Sequence, residues 1–161
     1  MKKNTKIILG IDPGIADTGY GVIKVEGSRL ECICYGSIQT EANTELSERL
    51  FELDKQLNKI IKKYKPNLAS VEQLFFCKNA KTALIVGQAR GVVLLNIRKH
   101  NLPMKEYTPL QIKQSVSTYG KADKAQVQKM VKLILNLKEI PKPDDAADAL
   151  AAAICASNSR L

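Results

Sequence analysis

Apolar residues open the chain as a run from Lys6 to Ile11 that stops at Asp12-Pro13-Gly14, the pattern of a strand running into a turn. Tyr20 to Val25 alternates with strand period, Glu26-Gly27-Ser28 supplies turn chemistry, and Leu30 to Ile38 runs back. The spacing predicts three antiparallel strands in meander order. At Glu45 the period lengthens: Leu46, Leu50, Leu53, Leu57, Ile60, Ile61 and Tyr64 fall on one helical face, and Pro66 stops the helix. Leu68 to Leu74 reads as a short strand with Glu72 set inside it. A second helix is expected from Asn79, a good N-cap, to about Lys99. Its Gly87 and Gly91 lower helix propensity and are expected to allow close packing against another element. Met104 to Tyr107 reads as a further strand.

Asp123 and Gln126 have capping-box spacing at the head of a helix whose apolar face is Val127, Met130, Val131, Ile134 and Leu135. Pro141 and Pro143 break it. The last helix begins near Asp144, read as its N-cap, and continues through Ala-rich sequence to about Ala156. The order β-β-β-α-β-α-β-α-α makes the chain α/β around a mixed sheet. No repeat, linker or composition break divides it, so residues 1–161 are read as a single domain.

Composition narrows the class. With 161 residues, 45% hydrophobic and 25% charged, the chain has apolar surface enough to fold and too little length for two ordinary domains. No apolar run approaches a bilayer crossing, and Asp12-Pro13-Gly14 cuts short the segment after Lys2 and Lys3 that a signal peptide would need. The expectation is an intracellular, cytoplasmic protein without membrane association. A net charge of +9, from 25 Lys+Arg against 16 Asp+Glu, favours a polyanionic partner such as nucleic acid. Cys32 and Cys34 are spaced C-x-C while Cys77 and Cys155 stand alone, so no zinc-type pairing is present. His100, the only histidine, follows a helical stretch and is a poor candidate for a general base.

Four carboxylates do not fit polar helix faces. Asp12 ends the first strand, Glu72 has apolar neighbours, and Asp145 and Asp148 share one face of an Ala-rich helix. Buried carboxylates are costly unless paired or bound to a cation. If the last helix packs beside the strands carrying Asp12 and Glu72, the four converge into an oxygen-donor set of the kind that holds Mg²⁺ against a phosphate. Taken singly, Asp12 also suits a turn, Glu72 a sheet edge, and the helical pair the N-terminal dipole. Asp144 and Asp148 share a face nearly as well as Asp145 and Asp148.

Several segments resemble the RuvC family of bacterial Holliday-junction resolvases. They are Gly10-Ile11-Asp12-Pro13-Gly14, Thr18-Gly19-Tyr20-Gly21, Val71-Glu72-Gln73-Leu74-Phe75 with Lys78-Asn79-Ala80, and Gln88-Ala89-Arg90-Gly91. Tyr107-Thr108-Pro109-Leu110-Gln111-Ile112-Lys113, the stretch Gly120 to Gln128, and Asp145-Ala146-Ala147-Asp148-Ala149-Leu150 complete the set. The matches run in the family's order over essentially the whole chain. The resemblance implies a ribonuclease-H-like fold, a five-stranded mixed sheet flanked by helices, and a homodimer that nicks opposed strands of a four-way DNA junction.

It further implies that Asp12, Glu72, Asp145 and Asp148 hold Mg²⁺, two ions per subunit with Mn²⁺ as a substitute, and that Lys113 and Lys124 assist cleavage. DNA contacts are implied for Phe75, Lys78, Arg90, Lys113, Lys121 and Lys124. The implied partners are junction DNA, a second copy of the chain and the RuvA–RuvB branch-migration complex. Gly87 and Gly91 would suit a close helix–helix contact in that dimer. One position departs from the pattern: Thr118 stands where relatives commonly carry Gly, which stiffens the loop and bears on junction preference rather than on chemistry. The competing classes are a junction-binding protein without nuclease activity and an actin-like phosphotransferase. The second would need a duplicated domain for which the length leaves no room, and no Walker-type loop occurs.

Overall fold

The computed structural model describes residues 5–74, 79–117 and 120–159. It opens with β1 (Thr5–Asp12), β2 (Asp17–Glu26) and β3 (Arg29–Gln39) in the expected antiparallel meander. The β2–β3 hairpin turns at Gly27, whose φ of 63° is the left-handed conformation that glycine adopts without steric cost. Helix α1 (Leu46–Tyr64) leads to β4 (Leu68–Glu72), and α2 (Ala80–Lys99) leads to β5 (Met104–Tyr107). β4 lies parallel to β1 and β5 parallel to β4, giving the order β3-β2-β1-β4-β5. Three helices follow: α3 (Pro109–Val116), α4 (Lys124–Ile134) and α5 (Asp144–Asn158). This is the α/β, ribonuclease-H-like arrangement, a five-stranded mixed sheet flanked by helices.

Local chemistry explains most boundaries. The Asn79 carboxamide accepts from the Lys81 and Thr82 amides at the head of α2, and the Asp123 carboxylate accepts from the Gln126 amide at 2.8 Å at the head of α4. Three differences from the sequence pattern bear on the site. Helix α3 is an element that the periodicity does not predict, although Thr108-Pro109-Leu110-Gln111 carries its signature. Thr108 and Gln111 form a reciprocal capping box, and proline stands at the first helical position. Pro143, not Asp144, occupies the cap of α5, so Asp144 is its first helical residue. β4 ends at Glu72, which places that carboxylate at the strand's C-terminal end and not within it.

The sheet separates two cores. On one face Leu9, Ile11, Val22, Ala69 and Val71 pack against α1 and α2, through residues such as Leu53, Leu57, Val93 and Ile97. On the other Ile8, Ile23 and Leu68 pack against α3, α4 and α5. A bulge pairs Val22 with Cys34 but Ile23 with Cys32, leaving Ile33 over. Cys32 therefore joins the α5-side core and Cys34 the α1-side core, so the C-x-C thiols cannot converge.

Helix α5 lies unusually close to the strands because glycines floor its groove. A Cβ on Gly10 would overlap the Ala149 carbonyl oxygen, and one on Gly19 would overlap that of Asp145. One on Gly21 would come within 2.6 Å of Leu150 Cδ2. Buried Ser70 on β4 donates its hydroxyl to the Ala152 carbonyl at 2.6 Å. Gly87 and Gly91 behave differently. Among the described residues a Cβ at Gly87 would meet only Leu74, at 3.9 Å, and one at Gly91 would meet nothing within 4 Å, so the packing expected of them is not made by those residues. Among the described residues no helix is long and apolar enough to cross a membrane.

Gly10→Ala should destabilise the fold by about 3 kcal/mol or more in urea denaturation, since the added methyl meets helix backbone that cannot rotate away. A loss below about 1 kcal/mol would show that α5 can lift from the sheet without cost.

Candidate metal centre

Strand alternation sets the first two carboxylates side by side. Ile8 pairs with Leu68 and Gly10 with Ser70, and all four face α5, so the next pair outward on the same face is Asp12 and Glu72. Both stand at the C-terminal ends of parallel strands, where the ladder stops and side chains can meet a ligand. The glycine-floored groove delivers the other two. With the α5 backbone against Gly19, the partner of Asp12 in β2, the first turns of α5 end beside β1. Carboxylate oxygens of Asp12, Asp145 and Asp148 lie within 4.8 Å of one another, and Glu72 hydrogen-bonds with Asp12.

The choice between Asp144 and Asp145 is decided by this geometry. Asp145 joins the cluster, whereas Asp144 accepts from Gln128 Nε2 at 3.0 Å and ion-pairs with Lys124 and Lys142. The Gln128 hydrogen bond and then the Lys124 charge hold the Asp144 carboxyl below its ordinary range.

The cluster is electrostatically strained. Burial, followed by the charges of Glu72, Asp148 and Asp145, pushes the Asp12 carboxyl up to about 9. Glu72 and Asp148 are raised as well, burial being the main cause for each. Asp12 thus keeps a proton at neutral pH and donates it to Glu72. An all-oxygen donor set in which Asp12 retains a proton fits a hard divalent cation, whose charge would replace that proton.

Two lysines stand on one flank. Lys113 of α3 and Lys124 of α4 line a cleft of about 180 Å³ with Glu72, Asp148, Pro109 and Val127. Lys124 Nζ lies 3.4 Å from Asp148 and 3.5 Å from Asp144. Burial opposes its charge, but Asp148 and Asp144 outweigh that and raise the ammonium above the usual lysine value. On the other flank Asp12, Glu72, Leu74, Val86, Arg90 and Pro109 line a second cleft of about 230 Å³.

Arg90 is turned inward, donating to the Glu72 carbonyl and ion-paired with Glu106 on β5. In the sequence the clamp is marked only by an arginine set between apolar and small residues of α2. Lys121 is exposed before α4. Phe75, Lys78 and Thr118 lie outside the described residues. His100 caps the C-terminus of α2 and bonds Asn58, beside the loops that enter β4 and β5 and so at the opposite end of these strands from the carboxylates.

A five-stranded sheet with clustered carboxylates at its strand ends and lysines on one flank has the make-up of a metal-dependent hydrolase, and similarity to known proteins narrows the class. The profile of the family described as "Crossover junction endodeoxyribonuclease RuvC" matches residues 8–156. The RuvC of Ruminiclostridium cellulolyticum is 58% identical over 153 residues, covering 95% of this chain and 92% of the relative. That of Alkaliphilus oremlandii is 54% identical over 149 residues, covering 92% and 91%. Among solved structures, Thermus thermophilus RuvC in complex with Holliday junction substrate superposes with a TM-score of 0.85 at 33% identity, covering 92% of this chain and 91% of that one. The chain belongs to the RuvC family of crossover junction endodeoxyribonucleases.

Retention of the Asp12 proton has a measurable sign. Folded Asp12 keeps its proton up to about pH 9, while the unfolded carboxyl loses it from its ordinary value of 3.8. The folded state then holds more protons between these limits, so stability without metal falls as pH rises across that window. In EDTA at about pH 8, Asp12→Asn should melt at least about 2 °C above the parent chain, with the gap closing at about pH 4. Equal or lower melting at the higher pH would contradict the retained proton.

Proposed function

We propose that the chain resolves four-way (Holliday) DNA junctions by paired symmetric nicks, a structure-selective, Mg²⁺-dependent endonuclease of recombination and repair. The observation that carries the reading is the convergence of Asp12, Glu72, Asp145 and Asp148 at the strand ends, in a chain matching the RuvC family over residues 8–156. The four carboxylates would hold two Mg²⁺, with Mn²⁺ accepted in their place because both take oxygen ligands. When bound, the ions supply Lewis acidity to the scissile phosphate and a water of lowered pKa for in-line attack, leaving 5′-phosphate and 3′-hydroxyl ends.

The chain's own groups do the rest. Asp12 must give up its proton before its carboxylate can serve as a ligand, so activity rises with pH through the acid limb. Lys124, resting on Asp148 and Asp144, would swing its ammonium to a phosphate oxygen as DNA enters, and Lys113 would approach from the same flank. Lys121, exposed just before α4, would add charge for a phosphate backbone. Phe75 would stack on an unpaired base at the crossover and Lys78 would hold the adjoining phosphate.

A two-fold substrate calls for two active sites, and the reading includes a homodimer. Support comes from α2, where Leu84, Gly87, Gly91 and Leu95 fall along one outward side and the two leucines are 65% and 53% exposed. The partnership with RuvA–RuvB and the cytoplasmic location rest on family membership.

Cleavage of a synthetic four-way junction and of linear duplex, each with Mg²⁺ and with EDTA, tests the reading. Symmetric nicks should appear only in the junction and only with metal. Asp12→Asn should bind the junction with little change yet cut at least about a hundredfold more slowly; normal turnover would remove Asp12 from the site. Gly91→Arg should convert the dimer to monomer in sedimentation at micromolar concentration, and an unchanged dimer would place the interface elsewhere.

A further inference from the structure

Arg90 projects from the middle of α2 to the C-terminal ends of β4 and β5, and its side chain is only 14% exposed. Nη1 donates to the Glu72 carbonyl oxygen at 2.8 Å, while Nη2 donates to Glu106 Oε1 on β5. Glu72 is the last residue of β4, paired with Tyr107, and the following amide of Gln73 donates to the Tyr107 carbonyl at 2.8 Å. Beyond that point the ladder ends. The direction in which Glu72 leaves the sheet is set by this last ladder bond and by the guanidinium.

A planar fork suits this task. It holds two acceptors, one on each strand, in a fixed mutual orientation, which a single ammonium cannot do. Glu106 keeps the largely buried guanidinium paired, so the clamp leaves no isolated arginine charge beside the carboxylates. Arg90 shares the cleft with Asp12 and Glu72 on the side away from Lys113 and Lys124. We infer that Arg90, anchored by Glu106, is a positioning residue for Glu72: it fixes the end of β4 so that the Glu72 carboxylate meets Asp12 in the cation site. The inference rests on Glu72 serving as a cation ligand.

The test measures Mn²⁺ binding to the full-length chain by calorimetry without DNA, beside junction binding in EDTA at several salt concentrations. Glu72→Gln serves as the reference variant. Arg90→Gln should weaken Mn²⁺ about tenfold, Glu106→Gln should do so in the same direction, and Arg90→Lys should fail to restore affinity. Junction affinity and its salt dependence should stay within about twofold of the parent. Unchanged Mn²⁺ binding in Arg90→Gln, with Glu72→Gln weakened, overturns the inference and leaves the site reading standing. A salt slope reduced by about one with Mn²⁺ binding intact would make Arg90 a phosphate contact instead. Unchanged Mn²⁺ binding in Glu72→Gln would overturn the ligand reading itself. Should Arg90→Gln fail to fold, Glu106→Gln carries the same comparison, and normal Mn²⁺ binding there overturns the clamp.

Discussion

The contact between α5 and the glycine-floored face of β1 and β2 is the constraint on which the site depends. Gly10, Gly19 and Gly21 leave backbone where side chains would stand, and α5 answers with Ala146, Ala149 and Ala153. Helix backbone then rests directly on sheet backbone, and Ser70 ties the contact from β4. Neighbouring strands bring Asp12 beside Glu72 through register alone. Only this close approach brings Asp145 and Asp148 to them, because ordinary side chains beneath α5 would hold its carboxylates away.

That convergence opposes stability. Carboxylates that share a partly buried site repel and lose hydration, and the chain responds by keeping a proton on Asp12. The two hydrophobic cores, one on each face of the sheet, supply the burial that tolerates this arrangement. A site strained in this way is poised for a cation, since the ion relieves the repulsion that the fold imposes.

The two flanks of the cluster differ in kind. On the α3–α4 side the basic groups are lysines on helix turns, one of them more than half exposed and shared between two carboxylates. Such groups can exchange carboxylate for phosphate with little reorganisation. On the α2 side the basic group is an arginine committed to a backbone carbonyl and a paired glutamate. The chain therefore sets exposed, shared charge on one flank of the cluster and buried, committed charge on the other.

Apolar runs and periodicity, punctuated by turn, cap and proline residues, determined the five described strands, four of the five described helices and the meander at the start, because burial leaves its pattern in the sequence. Helix α3 escaped it since eight residues give barely two turns of pattern, although its capping box was written in Thr108 and Gln111. The odd carboxylates were also legible, as polar residues where apolar ones were due. Spacing left open whether Asp144 or Asp145 joined them, because helical geometry serves both; the family resemblance pointed to Asp145, and the seating of α5 on Gly19 brings Asp145 to the cluster. The outward aspect of Gly87 and Gly91, the separation of Cys32 from Cys34 by a bulge, and the Arg90–Glu106 clamp all depend on partners distant in sequence. Local pattern records which residues prefer burial; what they are buried against is decided only when the elements pack.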